Sequence, residues 1–368
     1  MTRNRILISA MLYSLIAASP VRADIKIGIM LPTTGSEATY GVDMVNAIMM
    51  AAEDINAKGG VLGQKIVTVT ADDGCDPQMA TAAASKLTSS DVVAVVGGYC
   101  SGATLPTLKI YADAGIPFVI CSANSSKFIQ MNPGNAFLIN SLATFQVDTA
   151  MALFNKQGIK KIAIVHQGDG YSEDLASLTQ KKWKEAGKEV VAYEMVTKGE
   201  QDQSSLVTRL KSKSPDMVFW TAYYADGGLL IKQLRQGGYR GKITVGDGST
   251  DPHLIEIGGK ATEGTFALAN PLPEFLPKGT EFIAKYKDKF HQEAGPYSAL
   301  GYDGMMLMAD AIKKAGGTSD RSKIIAALKA EKKFPGLSGP ITFDEHNNLA
   351  FSNFVTLVVK NQKWALAK

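Results

Sequence analysis

Residues 92–123 read VVAVVGGYCSGATLPTLKIYADAGIPFVICSA. The run Val92–Gly97 is apolar and β-branched and predicts a buried strand. A helix is predicted over Gly102–Ala114 and a second strand over Pro117–Ala123. Strand, helix and strand within about 30 residues make a βαβ unit, whose strands lie parallel. Working outward, the same alternation precedes it. Ile25–Pro32 (IKIGIMLP) reads as a strand, and Val42–Ala57 as a helix with Val42, Val45, Ile48, Met49, Ala52 and Ile55 on one face. Gly59-Gly60 stops that helix. Strand Lys65–Ala71 and helix Pro77–Leu87 then complete four βα units, which imply a parallel sheet covered by helices on both faces.

The pattern restarts downstream. Helix Ala143–Gln157, strand Lys161–His166, helix Leu175–Ala186, strand Glu189–Val196, helix Ser204–Lys213, strand Met217–Trp220, helix Gly227–Gln236 and strand Ile243–Gly246 predict a second doubly wound lobe. Asn270–Pro277 (NPLPEFLP) reads as a connection. Helices at Phe282–Phe290, Tyr297–Ala315 and Ser322–Ala330 follow, then strands Gly339–Phe343 and Phe351–Val359. The fold class is therefore α/β with two Rossmann-like lobes.

The chain has 368 residues, 39 Lys and Arg against 35 Asp and Glu, and a net charge of +4. Its start has the form of a secretory signal: Arg3 and Arg5, the apolar run Ile6–Ala18, and Val21-Arg22-Ala23 as a cleavage site. The apolar run is shorter than the ~20 residues of a bilayer span. Cleavage before Asp24 would leave 345 residues, enough for about two domains, and would remove three arginines, leaving a charge of about +1. A near-neutral surface argues against nucleic acid as partner. Cys75 and Cys100 lie in loops after neighbouring strands, so in an oxidising compartment a Cys75–Cys100 disulfide is expected, with Cys121 buried and free. His166, His253, His291 and His346 have no metal-ligand spacing, and there is no P-loop, no G-x-S-x-G elbow and no complete G-x-G-x-x-G after a strand. No cofactor, no metal and no catalytic residue is predicted, which argues against an exported enzyme.

Several segments in order resemble the leucine/isoleucine/valine-binding proteins of bacterial ABC importers, the type I periplasmic binding proteins. They are IGIMLPTTGSEATYG, AAEDINAKGGVLGQKI, DDGCDP, GGYCSGATLP, IAIVHQGDGYSEDLA, TAYYADGGLLIKQL, VGDGSTDPHLIEI, EGTFAL and GPITFDEHNNL. The resemblance implies two lobes joined by three crossovers, near Leu142, Asn270 and Phe343. One lobe would hold residues 24–142 and 271–342, the other 143–270 and 343–368. It also implies hinge closure on an amino-acid-like small molecule, a membrane permease as partner, a periplasmic location and a monomer. A sensor whose closed form is read by a receptor or regulator is the alternative use of such a scaffold.

In open α/β sheets, ligands bind beyond the carboxyl ends of the strands. Ser101, in Cys100-Ser101-Gly102-Ala103, opens a helix there. Its hydroxyl suits a ligand carboxylate, although it also reads as an ordinary helix cap. Ser122, Ala123 and Asn124 follow the next strand. The family pattern has these positions touching ligand, but its Ser-Pro-Gly/Ala-Ala-Thr run is replaced here, so the side-chain role of Asn124 does not carry over directly. From the second lobe the resemblance selects Tyr171, Tyr223 and Asp247, with Asp247 receiving a ligand ammonium; Gly246-Asp247-Gly248 also reads as a plain turn. Tyr40 stands where the family often has Trp on the cleft wall. Tyr99 stands where it has a smaller aliphatic residue, so the ligand is expected to be smaller or more polar than leucine. His166 reads as a satisfied strand-end histidine bordering the cleft.

Overall fold

The computed structural model describes residues 23–367, so the predicted leader, apart from Ala23, lies outside the described residues. The first sheet holds β1 (Ile25–Leu31), β2 (Ile66–Asp72), β3 (Ala94–Gly97), β4 (Phe118–Ile120) and β5 (Ala136–Leu138), all parallel, in the order β2-β1-β3-β4-β5. β1, β3 and β4 are apolar and buried along almost their whole length, as strands covered on both faces must be. β5 escapes prediction because three residues (Ala136–Leu138) are too few to show a period.

The second sheet is built from β6 (Lys161–His166), β7 (Glu189–Met195), β8 (Met217–Trp220), β9 (Lys242–Val245) and β10 (Phe266–Ala269). A small hairpin, β11 (Phe334–Gly336) with β12 (Gly339–Ile341), comes next, and β13 (Val355–Lys360) and β14 (Lys363–Leu366) then return to the second sheet. Its order is β14-β13-β10-β9-β8-β6-β7, with β13 antiparallel to both β10 and β14. The chain thus passes between the sheets after β5, after β10 and after β12. The predicted strand Phe351–Val359 begins only at Val355, and β10, β11 and β14 were not predicted from sequence.

The helix predicted over Val42–Ala57 begins earlier, at Ala38, and its buried face is rotated from the predicted one. Tyr40, Met44, Ala47, Ile48, Ala51 and Ile55 are buried, while Val42 and Met49 are exposed. Tertiary packing decides this phase. Helix Ser298–Lys314 packs along Ala38–Ala57, and Ala47 and Met50 join Phe282 and Tyr286 of helix Gly279–Phe290 in a small cluster. The predicted helix Gly102–Ala114 is instead a helical run of three pieces, Ser101–Thr104, Leu105–Thr107 and Leu108–Asp113, because Pro106 cannot donate a ladder hydrogen bond. The Cys75–Cys100 disulfide is formed, with Cα atoms 5.4 Å apart, and Cys121 is free and buried. Among the described residues no helix is long and apolar enough to cross a membrane.

Candidate functional site

The carboxyl ends of the two sheets face each other, and the loops that leave them meet around one chamber. Asp247 follows β9 and is 2% exposed. Its Oδ1 accepts from the Tyr171 hydroxyl at 2.7 Å and from Gln146 Nε2 at 3.0 Å. Its Oδ2 accepts from Asn124 Nδ2 at 3.2 Å, with Asn140 Nδ2 at 3.5 Å. The Asn124 bond is the important one, since Asn124 follows β4 of the opposite sheet. Burial pushes the Asp247 carboxyl above the ordinary carboxylate range, and the hydroxyls of Tyr171 and Tyr297 with the amides of Gln146 and Asn140 pull against that shift. All of these donors are neutral, so the buried carboxyl has no cation to pair with.

Four tyrosines complete a girdle with this carboxylate. Ring centroids are 5.6 Å apart for Tyr171–Tyr223, 6.0 Å for Tyr223–Tyr99 and 5.5 Å for Tyr99–Tyr297. Burial drives all four hydroxyls well above their usual pKa, so they act as neutral donors and acceptors. The cavity between them is only about 10 Å³, room for roughly one water, so these side chains must part to admit a ligand; it is lined by Tyr99, Ser122, Asn124, Tyr171, Tyr223, Asp247, Gly248 and Tyr297. That is below the ~300–1,000 Å³ common for drug-sized ligands. The glycines beside Asp247 are required by this packing. A Cβ on Gly246 would lie 2.4 Å from the Tyr171 hydroxyl, and one on Gly248 would lie 3.1 Å from both the Tyr171 and Tyr223 rings.

Six of the nine residues selected from sequence therefore line the chamber: Tyr99, Ser122, Asn124, Tyr171, Tyr223 and Asp247. The other three stand one layer behind it. Ser101 is buried, and its Oγ accepts N–H bonds from Asn124 and Ser125, both at 3.2 Å. Tyr40 stacks on Tyr99 at 4.9 Å and accepts the Asp251 N–H at 2.7 Å, so it braces the wall across the two sheets. Ala123 packs into the apolar cluster containing Leu105 and Phe128. His166 is also buried outside the chamber. Its ring lies 4.8 Å from that of Tyr193, its Nδ1 accepts from Gly168 N–H, and burial lowers its pKa.

Sequence reasoning missed Tyr297, Gln146, Asn140 and Glu37. Tyr297 precedes helix Ser298–Lys314 after Gly295-Pro296, but no strand leads into it, so the strand-end rule that selected Ser101 does not reach it. Gln146 lies in an amphipathic helix and Asn140 in a crossover, and neither has a local signature. Glu37, just before the helix Ala38–Ala57, is 1% exposed. Burial pushes its pKa up to about 7, opposed chiefly by Lys198, whose Nζ is 4.0 Å away. Ser36 and Tyr99 hydroxyls donate to it at 3.0 and 3.4 Å.

Two α/β halves meeting over a small polar chamber, with one buried unpaired carboxylate, make a solute-binding scaffold. Residues 24–363 match the periplasmic binding protein family, and the chain belongs to it. It is 32% identical over 346 residues to the Leu/Ile/Val-binding protein homolog 2 of Brucella abortus, covering 90% of each chain. It is 32% identical over 351 residues to the leucine-, isoleucine-, valine-, threonine-, and alanine-binding protein of Pseudomonas aeruginosa, covering 95% of this chain and 93% of that one. Among solved structures it resembles a leucine binding protein, LivK, from Thermotoga maritima, with a TM-score of 0.86, 30% identity, and coverage of 94% and 98%. These relatives are binding proteins, and this chain is a solute-binding protein, not an enzyme.

Proposed function

We propose that this chain is the exported binding component of an ABC importer, taking a small amino acid or amino-acid-like molecule between its two halves. Residues 24–142 with 271–342 form one lobe and 143–270 with 343–368 the other, and crossovers near Leu142, Asn270 and Phe343 serve as the hinge. The observation that carries the reading is the buried Asp247 carboxylate, surrounded only by neutral donors. A ligand ammonium supplies the missing cation through a charge-assisted bond. The ligand carboxylate then falls to the opposite wall, where Ser122 and Asn124 line the chamber and Ser101, one layer behind, holds their loop by accepting the Asn124 and Ser125 N–H groups.

Tyr99 and Tyr297 narrow the chamber, which favours a short side chain. The name of the similar Pseudomonas protein spans threonine and alanine as well as leucine, isoleucine and valine, so it admits a short side chain without ranking it above leucine. The leader read at residues 1–23 and the family membership support delivery to the periplasm and handover to a membrane permease. Calorimetry on alanine, proline, a small amino-acid analogue and leucine tests the reading. Alanine or proline should bind more tightly than leucine. Tighter binding of leucine would overturn the size argument, and no heat with any of them would overturn the amino-acid reading.

A further inference from the structure

Asp174 lies in the first turn of helix Ser172–Glu185, beside the second sheet, and is 6% exposed. A carboxylate there ordinarily faces the free N–H groups of its own helix or water. This one reaches across to the loop after β4. It accepts from the Ser125 hydroxyl at 3.0 Å, the Ser126 N–H at 2.6 Å and the Ser126 hydroxyl at 2.7 Å. The same loop begins with Asn124, whose N–H goes to Ser101 in its own half and whose side chain goes to Asp247 in the other. Nearby, the halves touch where neither residue carries a side chain: a Cβ on Gly170 would fall 3.0 Å from Gly102 Cα. Asp174 itself is not part of the chamber wall.

We propose that Asp174 is a clasp that holds the two halves together and positions Asn124 for the cargo without touching the cargo. The inference rests on the binding reading above. Three bonds to one buried anion from the opposing half exist only while the halves are together, so they favour the closed arrangement alone. Because the clasp lies outside the chamber, its loss weakens every cargo by one common factor and leaves the order of preference unchanged. Removing charged hydrogen bonds of this kind corresponds to a roughly ten- to hundredfold loss of affinity.

The test uses the whole mature chain, spin-labelled at Met131→Cys and Met195→Cys, exposed positions on opposite halves. Interlabel distances are measured without ligand and with L-alanine or L-proline, for wild type, Asp174→Asn and Ser126→Ala, with thermal unfolding as the check on folding. Asp174→Asn should lengthen the distances in whichever condition closes wild type. It should raise the dissociation constants of both amino acids by the same factor, mainly through faster release, and Ser126→Ala should do so more weakly. Wild-type distances and affinities in Asp174→Asn would overturn the clasp. If neither amino acid binds wild type, the cargo reading fails on its own and the distances alone decide the clasp. A wild-type chain that stays open in every condition overturns it as well.

Discussion

Asn124 donates its side-chain N–H to Asp247 at 3.2 Å, joining residues that follow β4 in one sheet and β9 in the other. On the proposed function, a ligand ammonium enters this polar seam. Asp247→Asn keeps the shape, removes the anion, and should reduce amino-acid affinity by a hundredfold or more, read by calorimetry at neutral pH. Wild-type binding should also weaken as the pH falls through the raised pKa of Asp247, because the protonated acid cannot pair with a cation.

Glu37 gives a prediction about stability. Its pKa rises on folding from 4.5 to about 7, so its contribution is intact below pH 4.5 and is lost as the pH rises through 7. Glu37→Gln should therefore unfold like wild type in acid and be more stable above pH 7, by on the order of 3 kcal/mol for a shift of this size. Melting curves at pH 4, 6 and 8 check this; equal curves at pH 8 would overturn the raised pKa, in which the opposing charge of Lys198 is already counted.

Tyr99 and Tyr297 set the proposed size limit, their rings 5.5 Å apart across the chamber wall. Tyr99→Leu should enlarge the space and move the preference towards leucine by about tenfold relative to alanine, since each added buried methylene is worth roughly 0.8 kcal/mol. Competition calorimetry reads the ratio directly. An unchanged ratio would place the size limit elsewhere.

Gly248→Ala places a methyl group 3.1 Å from two tyrosine rings. The rings must shift to admit it, so binding should fall at least tenfold while overpacking costs about 1–3 kcal/mol of stability. A calorimetric titration beside a denaturant melt separates the two effects.

The disulfide closes a sequence separation of 25 residues. A double Cys75→Ser, Cys100→Ser variant should lose roughly 3 kcal/mol on chain-entropy grounds. Cys121, buried and with its thiol pKa raised by burial, should resist thiol reagents until the chain unfolds.

Much of the site was legible in two steps: the strand-end rule named the loops that face the cleft, and the resemblance to the Leu/Ile/Val-binding proteins selected the residues within them. Asn124, Tyr171, Tyr223 and Asp247 all follow apolar runs that announce their strands. Gln146 was not legible, since its helix would look the same whether that face met the chamber or the core. Ser101 shows the opposite error. Its position was read correctly, but the loop it braces, 124–125, is visible only once β3 and β4 lie side by side.

The order of amino acids determined the alternation of strands and helices, the two sheets, and where the chain turns, because backbone preference and burial period are local properties. Tertiary structure decided the rest. It set the phase of helix Ala38–Ala57 through its packing on Ser298–Lys314, brought β13 and β14 back to the second sheet, and set Asn124 and Asp174 against partners in the opposite half. A contact between residues far apart in sequence depends on how whole layers pack, and no window of neighbouring residues contains that information.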